Sequence, residues 1–188
     1  MELQDAMRNR GPVKRYHHKA PDWRRIIRAI DATRFGPNAG NIFVMKFIII
    51  DDPEKISKIS DATTQSFVGT AKYLVVATSD DSKLVRNYGD IGVRYSSQQA
   101  GAAIQNFLLS LEEQGLVTAW VRYFHDDKIK RILGIPEKII VEGVFPIGEP
   151  TKIKTRKERP MTLENYLYFD KWGNKKMEPQ TRVSVDSV

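Results

Sequence analysis

The sequence contains no cysteine in its 188 residues, which excludes disulfides, thiolate-bound metals and thiol nucleophiles. That absence suits a reducing cytoplasm, and a cytoplasmic protein is the expectation. Histidine is scarce as well: His17, His18 and His125 are the full complement. They form no H-E-x-x-H pair, and adjacent histidines near a terminus are ordinarily solvated, so no metal is expected. No two glycines stand one residue apart, which removes the G-x-G-x-x-G dinucleotide fingerprint, and the phosphate-loop pattern is missing too. No G-x-S-x-G nucleophile elbow occurs. The apolar runs are strand-sized, far short of the roughly 20 residues a bilayer-crossing helix needs. The polar start, Met1-Glu-Leu-Gln-Asp, lacks the basic-then-apolar pattern of an export signal. With hydrolytic and metal chemistry disfavoured, any catalysis falls to a bound cofactor.

What the chain does have is basic charge, a net +7 from 30 Lys and Arg against 23 Asp and Glu. Counterion release makes nucleic acid one reading of such a surplus. The aromatics are not interleaved with the basic residues as a base-stacking platform requires, so that reading is disfavoured against a phosphate-bearing cofactor. With 41% hydrophobic and 28% charged residues, the chain is expected to form one globular domain.

Asp22 is placed to cap a helix in which Trp23, Ile26, Ile27 and Ile30 recur at helical spacing, with Arg24, Arg25 and Arg28 largely opposite. Residues 36–41, Gly-Pro-Asn-Ala-Gly-Asn, break that pattern as a loop. Residues 46–50 read as a buried strand, Asp52-Pro53 opens a short helix carrying Ile56 and Ile59, and 73–78 form the next strand. A long helix is expected over 91–114, with Ala100, Ala103, Ile104, Phe107, Leu108 and Leu111 on one apolar face and Gly115 closing it. Residues 117–123 read as a third strand. Asp126 or Asp127 caps a short helix ending at Gly134, and 139–147 supply a fourth strand. Alternating strands and helices define an α/β or α+β domain. The small residues 100–103 let the long helix pack closely, in the core or across a dimer axis.

Four segments carry candidate chemistry. The first is the basic cluster Arg10-Gly-Pro-Val-Lys14-Arg15-Tyr16. The second is the loop Pro37-Asn38-Ala39-Gly40-Asn41, whose small residues let a flat ligand approach backbone amides. The third is Trp120-Val121-Arg122-Tyr123 at a strand end, where open sheets bind ligands. The fourth is the charge-dense Lys157-Glu158-Arg159-Pro160. Taken singly, each is better explained by a bland role: a solvated tail, an ordinary turn, a core tryptophan and a charged surface.

Their order resembles the FMN-dependent nitroreductase family over roughly residues 10–166. The resemblance rests on Arg-x-x-Val-Lys-x-Tyr at 10–16, Pro-Asn-Ala-Gly-Asn at 37–41 before a buried strand, and Gln105-Asn106-Phe107-Leu108-Leu109 leading to Gly115-Leu116. Trp120, Leu133-Gly134-Ile135-Pro136, Pro146-Ile147-Gly148 and a basic pair before a proline complete it. It implies an α+β fold, a central mixed and mostly antiparallel sheet flanked by helices, with the long helix at a homodimer interface. The implied domain covers 1–176, with 1–9 as a lead-in, 160–176 as an extension packing on the partner subunit, and 177–188 as a disordered tail.

The resemblance further implies FMN bound between two subunits. Arg10 and Lys14 match the family's N-terminal phosphate and ring contacts, and Lys157 and Arg159 match its C-terminal phosphate contacts. Lys14 would lie at the N1/O2 edge, where positive charge stabilises reduced flavin. Pro37, Asn38, Ala39 and Asn41 match the loop that reaches the partner's flavin, and Gln65 lies near a ring-contacting position. Gly11 and Pro12 stand where the family usually has a second arginine and a serine, so a side chain and a hydroxyl on the phosphate are missing, and Pro12 has no N–H to donate. Phe43-Val44-Met45 replaces the common Gln-Pro-Trp. Val121, Arg122 and Tyr123 occupy the region beside N5, with Arg122 a candidate contact to an anionic substrate. The implied activity is ping-pong hydride transfer from NADH or NADPH through flavin N5 to a nitroaromatic, quinone or related acceptor. The alternatives are a specialised flavin enzyme of the same fold, dehalogenating or fragmenting flavin, and a flavin-free basic nucleic-acid-binding module.

Overall fold

Four apolar, largely β-branched runs form the sheet: β1 (Met45–Ile50), β2 (Tyr73–Ser79), β3 (Val117–Thr118) and β4 (Ile140–Gly148). The computed structural model describes residues 1–151 and 162–177. The strand order is β1-β2-β4-β3, and every pairing is antiparallel. Where the resemblance implies a mixed and mostly antiparallel sheet, the sheet is wholly antiparallel among the described residues: β2 and β3 run in the same sense, but β4 lies between them and opposes both.

Helices cover both faces. They are α1 (Leu3–Asn9), α2 (Trp23–Asp31), α3 (Pro53–Thr63), α4 (Ser82–Tyr88), α5 (Ile91–Glu113) and α6 (Asp126–Leu133). Strand alternation decides which helix meets which face. Val75, Ala77, Phe145 and Ile147 point into a core shared with α2, α4 and α5, through Ile26, Leu84, Ile104 and Phe107. Phe107 meets Phe145 edge-on at 5.4 Å and 84°, a favoured aromatic geometry. Leu74, Val76 and Val144 point the other way, onto Ile56 and Ile59 of α3, Val68, and Ile129 of α6.

Capping fixes where the helices begin and end. The Asp22 carboxylate accepts from the Arg24 N–H, and that of Asp52 accepts from the N–H groups of Glu54 and Lys55. Gly115, at φ 71°, supplies the left-handed residue that closes α5. His125, not an aspartate, takes the N-cap position of α6.

The structure departs from expectation in three places. The lead-in 1–9 is helical and packs on α5 through the buried Ala6. α4 has too short an apolar pattern to signal itself. The strand expected over 117–123 is a two-residue ladder, after which only Val121 returns to bridge Val144. A β-bulge in β4 explains the break. Ala77 pairs with Gly143 and Thr78 with Val141, leaving Glu142 out of register.

The chain divides into the unit Met1–Arg156, which holds the sheet, and the unit Lys157–Val188. Within the second, Tyr168 and Trp172 stack at 4.9 Å and Lys175 lies 4.2 Å over the Tyr168 ring. No helix among the described residues is long and apolar enough to cross a membrane.

Candidate functional site

The N-terminal basic segment is fastened to one edge of the sheet. The Val13 N–H donates to the Thr118 carbonyl and that of His17 to Glu149, each at 2.9 Å, while Tyr16 bridges Pro150. Tyr16 packs over Gly148, where a Cβ would come within 2.7 Å of the tyrosine's own. The Tyr16 hydroxyl donates to the Val13 carbonyl at 2.7 Å, and burial pushes its pKa up. This anchoring sets the basic side chains. Arg10 donates to Gln105 of α5 at 3.0 Å. Lys14 is exposed, with its ammonium 5.3 Å from the centre of the Phe67 ring. Gln65 stands at the start of that same turn, Ser66–Thr70, so Lys14 and the Gln65 turn are brought together. Gly11 has open space around it, since an added Cβ would meet nothing nearer than the Asn9 carbonyl at 3.9 Å. Pro12 is exposed.

The second segment forms a tight turn, Ala39–Asn41, with Gly40 at φ 57° and Asn41 at φ 56°. A Cβ on Gly40 would strike the Tyr88 hydroxyl, so glycine is required twice over. The Asn38 amide donates to the Gly36 carbonyl at 3.0 Å, which stiffens the approach. Tyr88 meets Tyr95 edge-on at 5.5 Å and ties the turn to α5. A cleft of about 300 Å³ opens there, lined by Pro37, Asn38, Ala39, Tyr95, Gln98 and Gln99.

At the third segment the bulge governs everything. The Glu142 carbonyl accepts from the Trp120 indole at 3.0 Å and from Arg122 Nη1 at 2.5 Å. Its carboxylate, nearly buried, accepts from Ser79 Oγ at 2.7 Å and from Arg122 at 3.2 Å. Arg122 is therefore tethered to Glu142 of its own sheet, although its side chain stays 57% exposed. Val121 is buried and Tyr123 is exposed. Lys157 and Arg159 lie outside the described residues, as do residues 178–188.

Within one chain these pieces fall in two places. Lys14 sits on Phe67, which packs with the α3–α6 cluster, whereas Ala39 packs with the α5 cluster on the other face. One residue near the second of these was not singled out from sequence. Gln99 is 5% exposed, lines the cleft, and neither its Nε2 nor its Oε1 has a hydrogen-bond partner among the described residues. The signal was there: Gln99 falls in the buried stripe of α5 that continues through Ala103 and Phe107, where an amide is out of keeping. No group of three or more His, Cys, Asp or Glu side chains among the described residues is placed to hold a metal ion.

A helix-covered antiparallel sheet defines an α+β domain. Residues 59–149 match the sequence profile of the Nitroreductase family. A protein of Archaeoglobus fulgidus named as an NADH dehydrogenase/NAD(P)H nitroreductase is 30% identical over 131 residues, covering 66% of this chain and 72% of its own. A nitroreductase family protein from Clostridium novyi NT superposes with a TM-score of 0.73 at 25% identity, over 96% of this chain and 100% of that one. Oxidized iodotyrosine deiodinase, solved with FMN and 3-iodo-L-tyrosine, shares the fold at a TM-score of 0.76 and 20% identity, over 89% of this chain and 100% of its own. The chain belongs to the nitroreductase family, and that family makes it an oxidoreductase.

Proposed function

We propose that this protein is a homodimeric, cytoplasmic FMN oxidoreductase that takes electrons from NADH or NADPH and delivers them to a nitroaromatic, quinone or related acceptor. The observation that supports this reading is the placement of the candidate contacts on both sides of one sheet: Lys14 lies over Phe67 on the α3–α6 side, while Arg10 meets Gln105 and the 37–41 turn meets Tyr88 and Tyr95 around α5. Two copies facing each other would bring both sets of contacts to one ligand.

The residues present fit FMN. Arg10 and Lys14 supply cationic donors, Gly11 leaves room beside them, and the turn at Gly40 keeps its backbone bare. The Gln99 amide, buried and unpaired, marks a surface that expects a polar partner. When bound, FMN supplies a ring that accepts and returns two electrons at N5. The protein's part is to hold and to polarise. Arg10, oriented by Gln105, would meet the phosphate, with Lys157 and Arg159 as further cations. Lys14 would place positive charge at the pyrimidine edge of the ring, where negative charge develops on reduction. Pro37, Asn38, Ala39 and Asn41 would contact the ring from the second subunit, and the Val121–Tyr123 stretch, with Gln65, would border it from the first. Arg122, held by Glu142, acts as wall rather than substrate ligand.

The test is the visible spectrum of freshly purified protein, followed by addition of NADH or NADPH without air. A flavin spectrum that bleaches is expected. Colourless protein that also refuses added FMN would overturn the reading.

A further inference from the structure

We propose that Gln99 is a ligand-recognition residue, its side-chain amide pairing with an amide or imide edge, an N–H beside a C=O, of the molecule bound under the 37–39 turn. This rests on the flavin reading above and names a contact within the same site.

Three observations support it. First, Gln99 is 5% exposed and both polar atoms of its amide lack a partner among the described residues. Buried amides are ordinarily satisfied, because water's hydrogen bonds are lost on burial and must be replaced. Asn38, which lines the same cleft, gives an N–H to the Gly36 carbonyl and none to Gln99. One turn earlier on α5, the Ser96 hydroxyl is also buried without a partner. Packing alone would be served better by Leu or Met in this stripe, as it is by Ile104 and Leu108 farther along.

Second, among the described residues the cleft lining carries no charged side chain: proline, asparagine, alanine, tyrosine and two glutamines form it. An anionic group would find no cation there and would face the Gln99 carbonyl. A neutral group with a donor beside an acceptor satisfies both ends of the amide at once. Third, Tyr95 forms one side of the cleft and is held edge-on by Tyr88, and an aromatic wall suits a flat heterocycle.

Two molecules of the proposed reaction carry such an edge: the flavin, at the imide of its pyrimidine ring, and the nicotinamide reductant, at its carboxamide. The experiment separates them. Full-length wild type, Gln99→Leu and Gln99→Met are stripped of flavin and titrated with FMN and with N3-methyl FMN, following flavin fluorescence. The holoproteins are then compared for KM with NADH and with reduced 3-acetylpyridine adenine dinucleotide, whose acetyl group lacks the carboxamide N–H.

Wild type is expected to prefer one parent over its analogue by about tenfold, the effect of one lost hydrogen-bond pair in a buried site, and both variants are expected to lose that preference. Loss on the FMN pair assigns the imide edge, and loss on the NADH pair assigns the carboxamide. The proposal is overturned if wild type prefers neither parent, or if the preference survives in both variants. It is also overturned if the variants change only the dimer dissociation seen by sedimentation, since Gln99 would then pair with the second copy. Wild type that binds no flavin at all sinks the functional reading instead.

Discussion

Arg122→Ala should destabilise the fold and leave acceptor binding largely unchanged. Arg122 donates to the Glu142 carbonyl at 2.5 Å and to its carboxylate at 3.2 Å. Hydrogen bonds with a charged partner contribute about 1.5–3 kcal/mol each in sheltered settings. The Arg122 side chain is 57% exposed, however, so water and salt offset much of that. Glu142 also keeps its bond from Ser79, so removal of the guanidinium does not strand the carboxylate entirely. About 1–2 kcal/mol remains, roughly 2–8 °C in Tm for a chain of this length. The assay is urea and thermal unfolding of flavin-free Arg122→Ala, Glu142→Gln and the double variant at one protein concentration. The double-variant cycle should return a coupling of about 1 kcal/mol, as expected for residues in one hydrogen-bonded network. KM for the acceptor, measured on the holoprotein, should move less than about twofold, since uniform substrate binding is unaffected. Unchanged stability with a large rise in KM would refute this and make Arg122 the substrate contact its sequence position suggested.

Gly40→Ala forces a side chain into the left-handed region, about 1–2 kcal/mol, and onto the Tyr88 hydroxyl; Tyr88→Phe should restore part of the lost Tm, and no rescue would show that the collision is not the cause. Asp80 has its pKa lowered, first by the hydrogen bond from the Ser82 hydroxyl and then by that from the Ser82 N–H. A depressed carboxylate contributes stability above its unfolded value of about 3.9, and that contribution is lost as pH falls through the folded value. Ser82→Ala should therefore be less stable than wild type at pH 7 by about 1 kcal/mol, with the gap closing in acid; a urea midpoint difference that stays constant from pH 7 to pH 3 would count against it.

Much of this architecture is legible in the sequence where periodicity is strong. The long helix, expected at 91–114, is Ile91–Glu113, and the last strand, expected at 139–147, is Ile140–Gly148. These elements bury a full stripe or face, and the pattern records it. The third strand ends early for a reason no local pattern carries. Trp120 and Arg122 turn back to the carbonyl of Glu142, which a bulge some twenty residues farther on has freed. The tie from Asn38 back to Gly36 and the collision that fixes Gly40 likewise depend on tertiary placement. Arg10 and Lys14 stand out by charge, but the Phe67 ring beneath Lys14 is visible only once the 66–70 turn is folded. Gln99 is the instructive omission: its stripe position was readable, but its lack of partners was not.

The tie between the N-terminal segment and the sheet edge has a consequence for folding order. Val13 meets Thr118, and His17 meets Glu149, closing loops of more than about a hundred residues. Closing such loops costs entropy before any packing rewards it, and topologies rich in distant pairings fold slowly. On a ribosome, the strand that receives Tyr16 emerges long after Tyr16 itself. Lys14 therefore waits, unplaced, until nearly the whole sheet has been made. On the flavin reading proposed above, cofactor capture belongs to the end of folding, and a destabilised β4 should surface first as slow or incomplete loading with flavin.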